Sequence, residues 1–303
     1  MKTNQDFKEE LQQLRNYGYF LSKGFANYEE CEDISETLKI KPINISNCNE
    51  LSATKVGSTI FNKHSIAISK AAFDAVTYSP LLEISEKYIG AFPILKCSRS
   101  YAISKSDPCF EWHSDNKDPN NVVDNSKGIV FILFLEDDIE GTFSLIKDTN
   151  NFPKSLSSLP SLKEIKFWEK NNMIKKFYPK KGDLLGFSQD IFHRHITETK
   201  HSLNAFWFQV IGENAGVGER VLINPSFLKE ENQDRLLKYF SSNNERINIS
   251  FPVSSINSIN FSSNLKYILI LLIKLPNSFL ISLRMLIMKI LPFSFLSKIK
   301  NFL

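Results

Sequence analysis

Apolar residues first recur at helical steps. Phe7, Leu11 and Leu14 sit three and four residues apart among charges, which predicts an amphipathic helix over 5–16. Asn16-Tyr17-Gly18 breaks that pattern, and Tyr19-Phe20-Leu21 predicts a short strand. A second helix is expected from Asn27 to about Leu38. Residues 40–90 are mixed, with helices predicted over 66–76 and 80–89; Leu81, Leu82, Ile84 and Tyr88 share one face of the latter. From Phe92 onward the texture is that of strands. They are expected over 94–103, 129–135, 142–146, 184–187, from near Phe192, and over 202–210. The run Ile129-Val130-Phe131-Ile132-Leu133-Phe134-Leu135 has no polar member, which suits a strand buried on both faces. Many strands separated by polar turns predict a mainly β fold with flanking helices, a sandwich or barrel.

Three stretches stand apart from this pattern. Residues 147–181 are rich in lysine, serine and asparagine with a helical patch at 162–170, and read as an insertion or lid. Residues 211–250 read as helix and loop closing one domain that spans 1–250. Beyond it come a Ser/Asn-rich connector at 251–264 and a different segment at 265–303.

Composition narrows the class. With 303 residues, 42% hydrophobic and 23% charged, the chain has the make-up of a globular protein. Its four cysteines, Cys31, Cys48, Cys97 and Cys109, form no C-x-x-C pair, so a structural zinc site is not expected. The polar start Met1-Lys2-Thr3-Asn4-Gln5-Asp6 lacks the apolar core of a signal peptide, so a cytoplasmic protein with free thiols is the expectation. No nucleic-acid partner is expected.

The chemistry gathers at Glu111-Trp112-His113-Ser114-Asp115. On an extended segment, side chains at i and i+2 point the same way, so His113 and Asp115 can reach one ion. Two histidines and a carboxylate on one face of Fe(II), with the opposite face left for cosubstrate and oxygen, is the ligand set of non-heme iron oxygenases. The second histidine must come from a distant strand. His193 and His195 have the same parity; the lead-in Gly182-Asp183-Leu184-Leu185-Gly186-Phe187 favours His193. A 2-oxoglutarate cosubstrate needs a cation for its far carboxylate. Lys200 and Ser202, on one face of the next strand, offer an ammonium and a hydroxyl. Arg99 and Tyr101, on the strand before the motif, are further cosubstrate-binding candidates. Trp112 reads as a packing wall of the pocket, and His64 and His201 as structural residues.

Four stretches carry a family resemblance: Leu14-Arg15-Asn16-Tyr17-Gly18-Tyr19 with Tyr28-Glu29-Glu30-Cys31; Trp112-His113-Ser114-Asp115; Ile129 to Gly141 with its acidic Leu135-Glu136-Asp137; and Gly182-Asp183, Phe187 and His193. Over about residues 10–212 the chain resembles the phytanoyl-CoA dioxygenase-like branch of the Fe(II)/2-oxoglutarate oxygenases. That resemblance implies a double-stranded β-helix (jelly roll, cupin-like) core. It also implies His113, Asp115 and His193 as metal ligands, and oxidative decarboxylation of 2-oxoglutarate to succinate and CO2 coupled to hydroxylation by molecular oxygen. Relatives that halogenate lack the carboxylate, so Asp115 points to hydroxylation. The chain departs from the family where Lys147-Asp148-Thr149-Asn150-Asn151 replaces a Pro-Gly-Ser-His-like turn. It departs again where Lys200 takes the place of the usual arginine anchor; a lysine acts as a point charge rather than a fork.

Residues 265–303 contain Lys266, Lys274, Arg284, Lys289, Lys298 and Lys300 and no acid. Those six charges set against +4 for the whole leave about −2 for 1–264. The longest uncharged run is nine residues and contains Pro276, too short to span a bilayer. Basic residues among Leu, Ile and Phe suit a helix in the interface of an anionic membrane, so peripheral membrane contact and a small-molecule, lipid or carrier-linked substrate are expected. Two other classes compete: a metal-binding cupin-type protein without oxygen chemistry, and a membrane-associated interaction protein with a decayed site.

Overall fold

The computed structural model describes residues 7–40, 54–56, 59–103, 111–116, 127–147, 159–195, 203–213, 215, 222–228, 233–240 and 249–250. Lys200, Ser202, the connector 251–264 and the basic segment 265–303 lie outside the described residues.

The opening unit forms as its pattern predicts. Helix α1 (Lys8–Tyr17) buries Leu14 and stops at Gly18, whose φ of 79° lets its N–H reach back to the Leu14 carbonyl. Strand β1 (Tyr19–Ser22) follows, then α2 (Tyr28–Glu36). Asn27 and Glu30 close the start of α2 reciprocally: each side chain accepts the other's backbone N–H. Two short strands, β2 (Thr54–Val56) and β3 (Thr59–Asn62), come next, in a region where the pattern gave none. The helix predicted over 66–76 is two helices, α3 (Ser65–Ile68) and α4 (Lys70–Thr77). Ser69 separates them because its hydroxyl accepts the Ala72 N–H and caps the second. Helix α5 (Ser79–Ile89) starts with Pro80 in its first turn and ends at Gly90.

The strands β4 (Pro93–Ile103), β5 (Gly128–Phe134), β6 (Phe143–Ile146), β7 (Ile174–Lys176), β8 (Leu184–Ser188), β9 (His193–His195) and β10 (Leu203–Gly212) make two antiparallel sheets. The larger runs β1-β8-β5-β10-β4-β3-β2 and the smaller β7-β6-β9. A parallel pair of β11 (Leu222–Ile223) and β12 (Ile249–Ser250) and helix α7 (Gln233–Phe240) lie outside these two sheets, and helix α6 (Leu162–Lys170) lies between β6 and β7 in the chain.

Strand β5 shows how the layers arise. All seven of its residues are buried, as its apolar run predicts. Ile129, Phe131 and Leu133 face the helices, in one core with Leu14, Ile34, Phe73, Leu81, Phe208 and Tyr239. Val130, Ile132 and Phe134 face the smaller sheet, in a second core with Tyr101, Phe143, Leu145, Phe187 and Ala205. The period-two alternation thus serves both faces. The Phe131 and Phe208 rings stack at 4.7 Å across the β5–β10 pairing.

The reading of 147–181 as an insertion is corrected in its second half. Strand β7 pairs with β6 and is the edge of the smaller sheet. Its polarity suits an edge: Lys176 is exposed, and Lys175 donates to the Tyr19 hydroxyl at 2.9 Å. Helix α6, capped by Ser161 and Glu164, covers the outer face of that sheet, where Trp168 packs with Ile146 and Phe192. Among the described residues, no helix is long and apolar enough to cross a membrane.

Candidate metal centre

The segment 111–116 runs beside β9. His113 and His193 face each other as an antiparallel bridge, exchanging N–H···O bonds of 3.0 and 2.8 Å. Side chains of a directly opposed pair emerge on the same face, and here the two imidazole rings lie 4.4 Å apart. Asp115 is not part of a continuous strand, contrary to the extended H-x-D expectation; it sits in a bend, held by its own N–H bonded to the Gln189 carbonyl at 3.0 Å. Its carboxylate still reaches the histidines. Oδ1 lies 3.7 Å from His113 Nε2 and Oδ2 3.5 Å from His193 Nε2. One potential ligand atom from each of the three residues lies within 4.8 Å of those of the other two.

Each imidazole is aimed by a backbone carbonyl that the sequence does not reveal. His113 Nδ1 donates to the Glu111 carbonyl at 2.5 Å, and His193 Nδ1 to the Ile191 carbonyl at 3.1 Å. Both bonds span two residues, so the local turn of the chain fixes the ring. With Nδ1–H engaged, the lone pair is on Nε2, which in both rings faces Asp115. Burial, and then the proximity of His113, push His193 down to about 4, so its ring is neutral at pH 7. A metal-binding imidazole must be neutral. Phe143 stacks on the His193 ring with centroids 5.8 Å apart and Phe187 lies 4.7 Å away, closing its flanks to water.

These residues suit a cation. Asp115 Oδ2 is buried and accepts no hydrogen bond, an expensive arrangement for a carboxylate with nothing positive beside it. An ion ~2.1 Å from each of two ligand atoms can bridge a pair up to about 4.2 Å apart, and both Asp115–histidine separations fall below that. Two imidazoles and one carboxylate are the donor set that Fe(II) takes in oxygenases.

His195 turns to the same face as His193, as their shared parity requires, but does not join the group. Its Nδ1 is engaged with the Tyr101 hydroxyl at 3.0 Å, and its ring lies among Phe134, Phe143 and Tyr101. Burial, and then the neighbouring His193, lower His195 to about 3. The unfolded chain takes up a proton near pH 6.5, where the buried ring does not, so this histidine costs stability as pH falls from about 6.5 toward 3. In His195→Gln the melting temperature of the metal-free protein is expected to fall less steeply over that window, measured by thermal denaturation at stepped pH.

Tyr101 and Arg99 stand on the inner face of β4. Burial, and then the Asp115 charge, raise the Tyr101 phenol, which stays protonated. The Arg99 guanidinium lies 4.6 Å over the Trp207 ring, its partner across β10. Trp112 is corrected. It packs with Trp168, Phe192 and Ile146 and under the Arg194 guanidinium, on the side of β9 opposite the two histidines, and so braces the motif from outside rather than walling a pocket. The Gly182-Asp183 pair is structural. Asp183 accepts the N–H groups of Gly24 and Lys180, tying the loop after β1 to the start of β8. The described cysteines, Cys31 and Cys97, are buried thiols, and burial raises the Cys31 thiol to about 11.

No protein-family model matches the chain, and no curated protein matches it. Solved structures do. EctD from S. alaskensis aligns over 76% of this chain and 86% of its own with a TM-score of 0.55 at 12% identity. The epimerase SnoN, in complex with Fe3+, alpha ketoglutarate and nogalamycin RO, aligns over 70% and 86% with a TM-score of 0.52 at 11% identity. HygX from Streptomyces hygroscopicus, with nickel and 2-oxoglutarate bound, aligns over 71% and 90% with a TM-score of 0.50 at 14% identity. The fold is the double-stranded β-helix. It is the jelly roll expected above, with antiparallel sheets and flanking helices. In this jelly roll the His113–Asp115–His193 group lies at the smaller sheet, its histidines joined across the β9 bridge.

Proposed function

We propose that the chain is an Fe(II)- and 2-oxoglutarate-dependent oxygenase, a hydroxylase related to the phytanoyl-CoA dioxygenase-like branch. The observation that carries this reading is the convergence of His113 Nε2, His193 Nε2 and the Asp115 carboxylate in a jelly roll. The two rings are fixed by backbone carbonyls, and one carboxylate oxygen is buried without a hydrogen bond. The three residues would hold Fe(II), with His195 left to the core. Bound there with 2-oxoglutarate and oxygen, iron supplies oxidative decarboxylation, releasing succinate and CO2, coupled to hydroxylation of a substrate C–H bond. The metal and keto-acid complexes of HygX and SnoN agree with that assignment.

The chain's own residues then have separate tasks. His193 stays neutral and dry between Phe143 and Phe187. Tyr101 keeps its proton near Asp115 and offers a hydroxyl rather than a phenolate. Arg99 brings a fixed positive charge to the same strand face. Lys200 and Ser202 would hold the far carboxylate of 2-oxoglutarate, the ammonium as a point charge and the hydroxyl as a donor. A small-molecule, lipid or carrier-linked substrate would enter from the side left open by the three ligands. Residues 265–303 would lie on a membrane surface while the enzyme remains cytoplasmic.

The test is cosubstrate turnover. Purified protein with Fe(II), ascorbate and 2-oxoglutarate is expected to form succinate, at least at the slow rate uncoupled from substrate, and a chelator should stop it. A protein that binds Fe(II) but neither binds nor consumes 2-oxoglutarate would leave a metal-binding jelly roll without this chemistry.

A further inference from the structure

Asp115 differs from its two partners. Each histidine is aimed through its own ring by a carbonyl two residues away. For Asp115 the buried Oδ2 accepts no hydrogen bond, and the backbone lies in a bend rather than in a paired strand. Among the described residues, the hydrogen bonds that hold Asp115 are made by its main chain.

Two glutamines hold that main chain at both ends. The Asp115 N–H donates to the Gln189 carbonyl at 3.0 Å, and the Asp115 carbonyl accepts from Gln209 Nε2 at 3.1 Å. The same Gln209 amide donates to Gln189 Oε1 at 2.8 Å, so the two grips are joined. Both glutamines are buried, Gln189 wholly, and an amide buried among Phe-rich strands is stable there only when its donors are used.

The surrounding fold is shaped to admit this pair. Gln209 lies in β10 where the register with β4 slips by one residue: Gln209 stands opposite Cys97 but Val210 opposite Leu95. Such a bulge re-aims the side chain beside it. Across the sheet, Gly128 donates space. A Cβ at that position would stand 2.3 Å from Gln189 Oε1, while the Gly128 carbonyl accepts the Gln189 N–H at 3.1 Å.

From this geometry we infer that Gln209 and Gln189 form a buried amide clamp that positions Asp115 for metal binding. Gln209 is a positioning residue. It acts through the Asp115 carbonyl. The inference rests on the metal reading above.

The experiment is calorimetric and spectroscopic titration of the full chain with Co(II), a stand-in for Fe(II) that needs no exclusion of oxygen from turnover. Four proteins are compared: wild type, Gln209→Met, Asp115→Ala and the double variant. Gln209→Met keeps the length and bulk of the side chain and removes the donor. Its Co(II) affinity is expected to fall on the order of 10–100-fold, the usual cost of losing an outer partner of a ligand, with a changed visible Co(II) spectrum. In the Asp115→Ala background the same change should have no further effect, because the clamp has nothing left to place. Gln209→Met binding Co(II) like wild type overturns the clamp, as does an equal loss in both backgrounds, which would mark general damage. Should Gln209→Met fail to fold, Gln189→Met takes its place, since it removes the joining acceptor and leaves the Gln189 carbonyl in position; wild-type Co(II) binding by it overturns the clamp equally. Wild type that binds no Co(II) removes the metal reading, and the clamp with it. Wild type that binds while Asp115→Ala binds equally well removes the role of Asp115.

Discussion

Asp115→Ala is expected to weaken metal binding sharply and to lose 2-oxoglutarate turnover while keeping its fold. The change removes one of the three proposed ligands, so the affinity loss should exceed the ~10–100-fold typical of an outer partner. Succinate formation should drop to background. Stability should behave differently. Without metal, Asp115 Oδ2 is a buried oxygen with no hydrogen bond, a group that costs free energy in the folded state. Removing it is expected to leave the melting temperature of the metal-free protein unchanged or raised. Adding Co(II) should raise the wild-type melting temperature, since a ligand that binds the native state stabilises it by mass action, and should raise the variant's far less at the same concentration. Paired melts with and without the ion check both statements. A variant that is strongly destabilised when metal-free would mean that Asp115 serves the fold rather than a ligand.

Gly182→Ala is expected to be among the most damaging single changes to stability. Two effects add. Gly182 has φ of +87°, where an L-residue with a Cβ is strained by roughly 1–2 kcal/mol. The space is also taken: a Cβ there would stand 2.1 Å from the Ala26 carbonyl oxygen, and that atom is backbone. Ala26 cannot retreat freely, because its N–H donates to the Gly182 carbonyl at 3.0 Å, while the Gly182 N–H donates to Phe134 at 2.8 Å. The neighbouring Asp183 holds Gly24 in the same junction. A loss of several kcal/mol follows, a large part of the ~5–15 kcal/mol that keeps a domain folded. Denaturant unfolding should show a sharply lowered midpoint or an insoluble product. Asp183→Ala should cost less, since it removes two hydrogen bonds without adding a clash.

Particular residues show what the chain discloses by itself. The run from Ile129 to Leu135 announces a strand buried on both faces because every position is apolar, and the structure buries all of β5. His113, Asp115 and His193 were legible as a group because ligand chemistry restricts residue types, and the structure brings them together. The strand β7 was hidden because an edge strand has one unpaired side and tolerates lysine, so Ile174-Lys175-Lys176 carries no alternation. Ser69 was hidden inside an apolar helical run, where a capping hydroxyl looks like any small polar residue. Which side of the motif Trp112 faces depends on α6 packing back over the smaller sheet, a tertiary fact without a local signal. Gln209 had a weak signal, a buried amide between Phe208 and Val210; what it grips became visible only when β10 was set against Asp115 and Gln189.

The central claim is that His113, Asp115 and His193 share one iron. Its most direct test is a crystal grown anaerobically with Fe(II) and 2-oxoglutarate, with anomalous scattering recorded on both sides of the iron edge. The expected map has one iron peak per chain, bounded by His113 Nε2, His193 Nε2 and the Asp115 carboxylate, with His195 still bonded to Tyr101. A peak that enlists His195 in place of His193, or no peak beside Asp115, would contradict it.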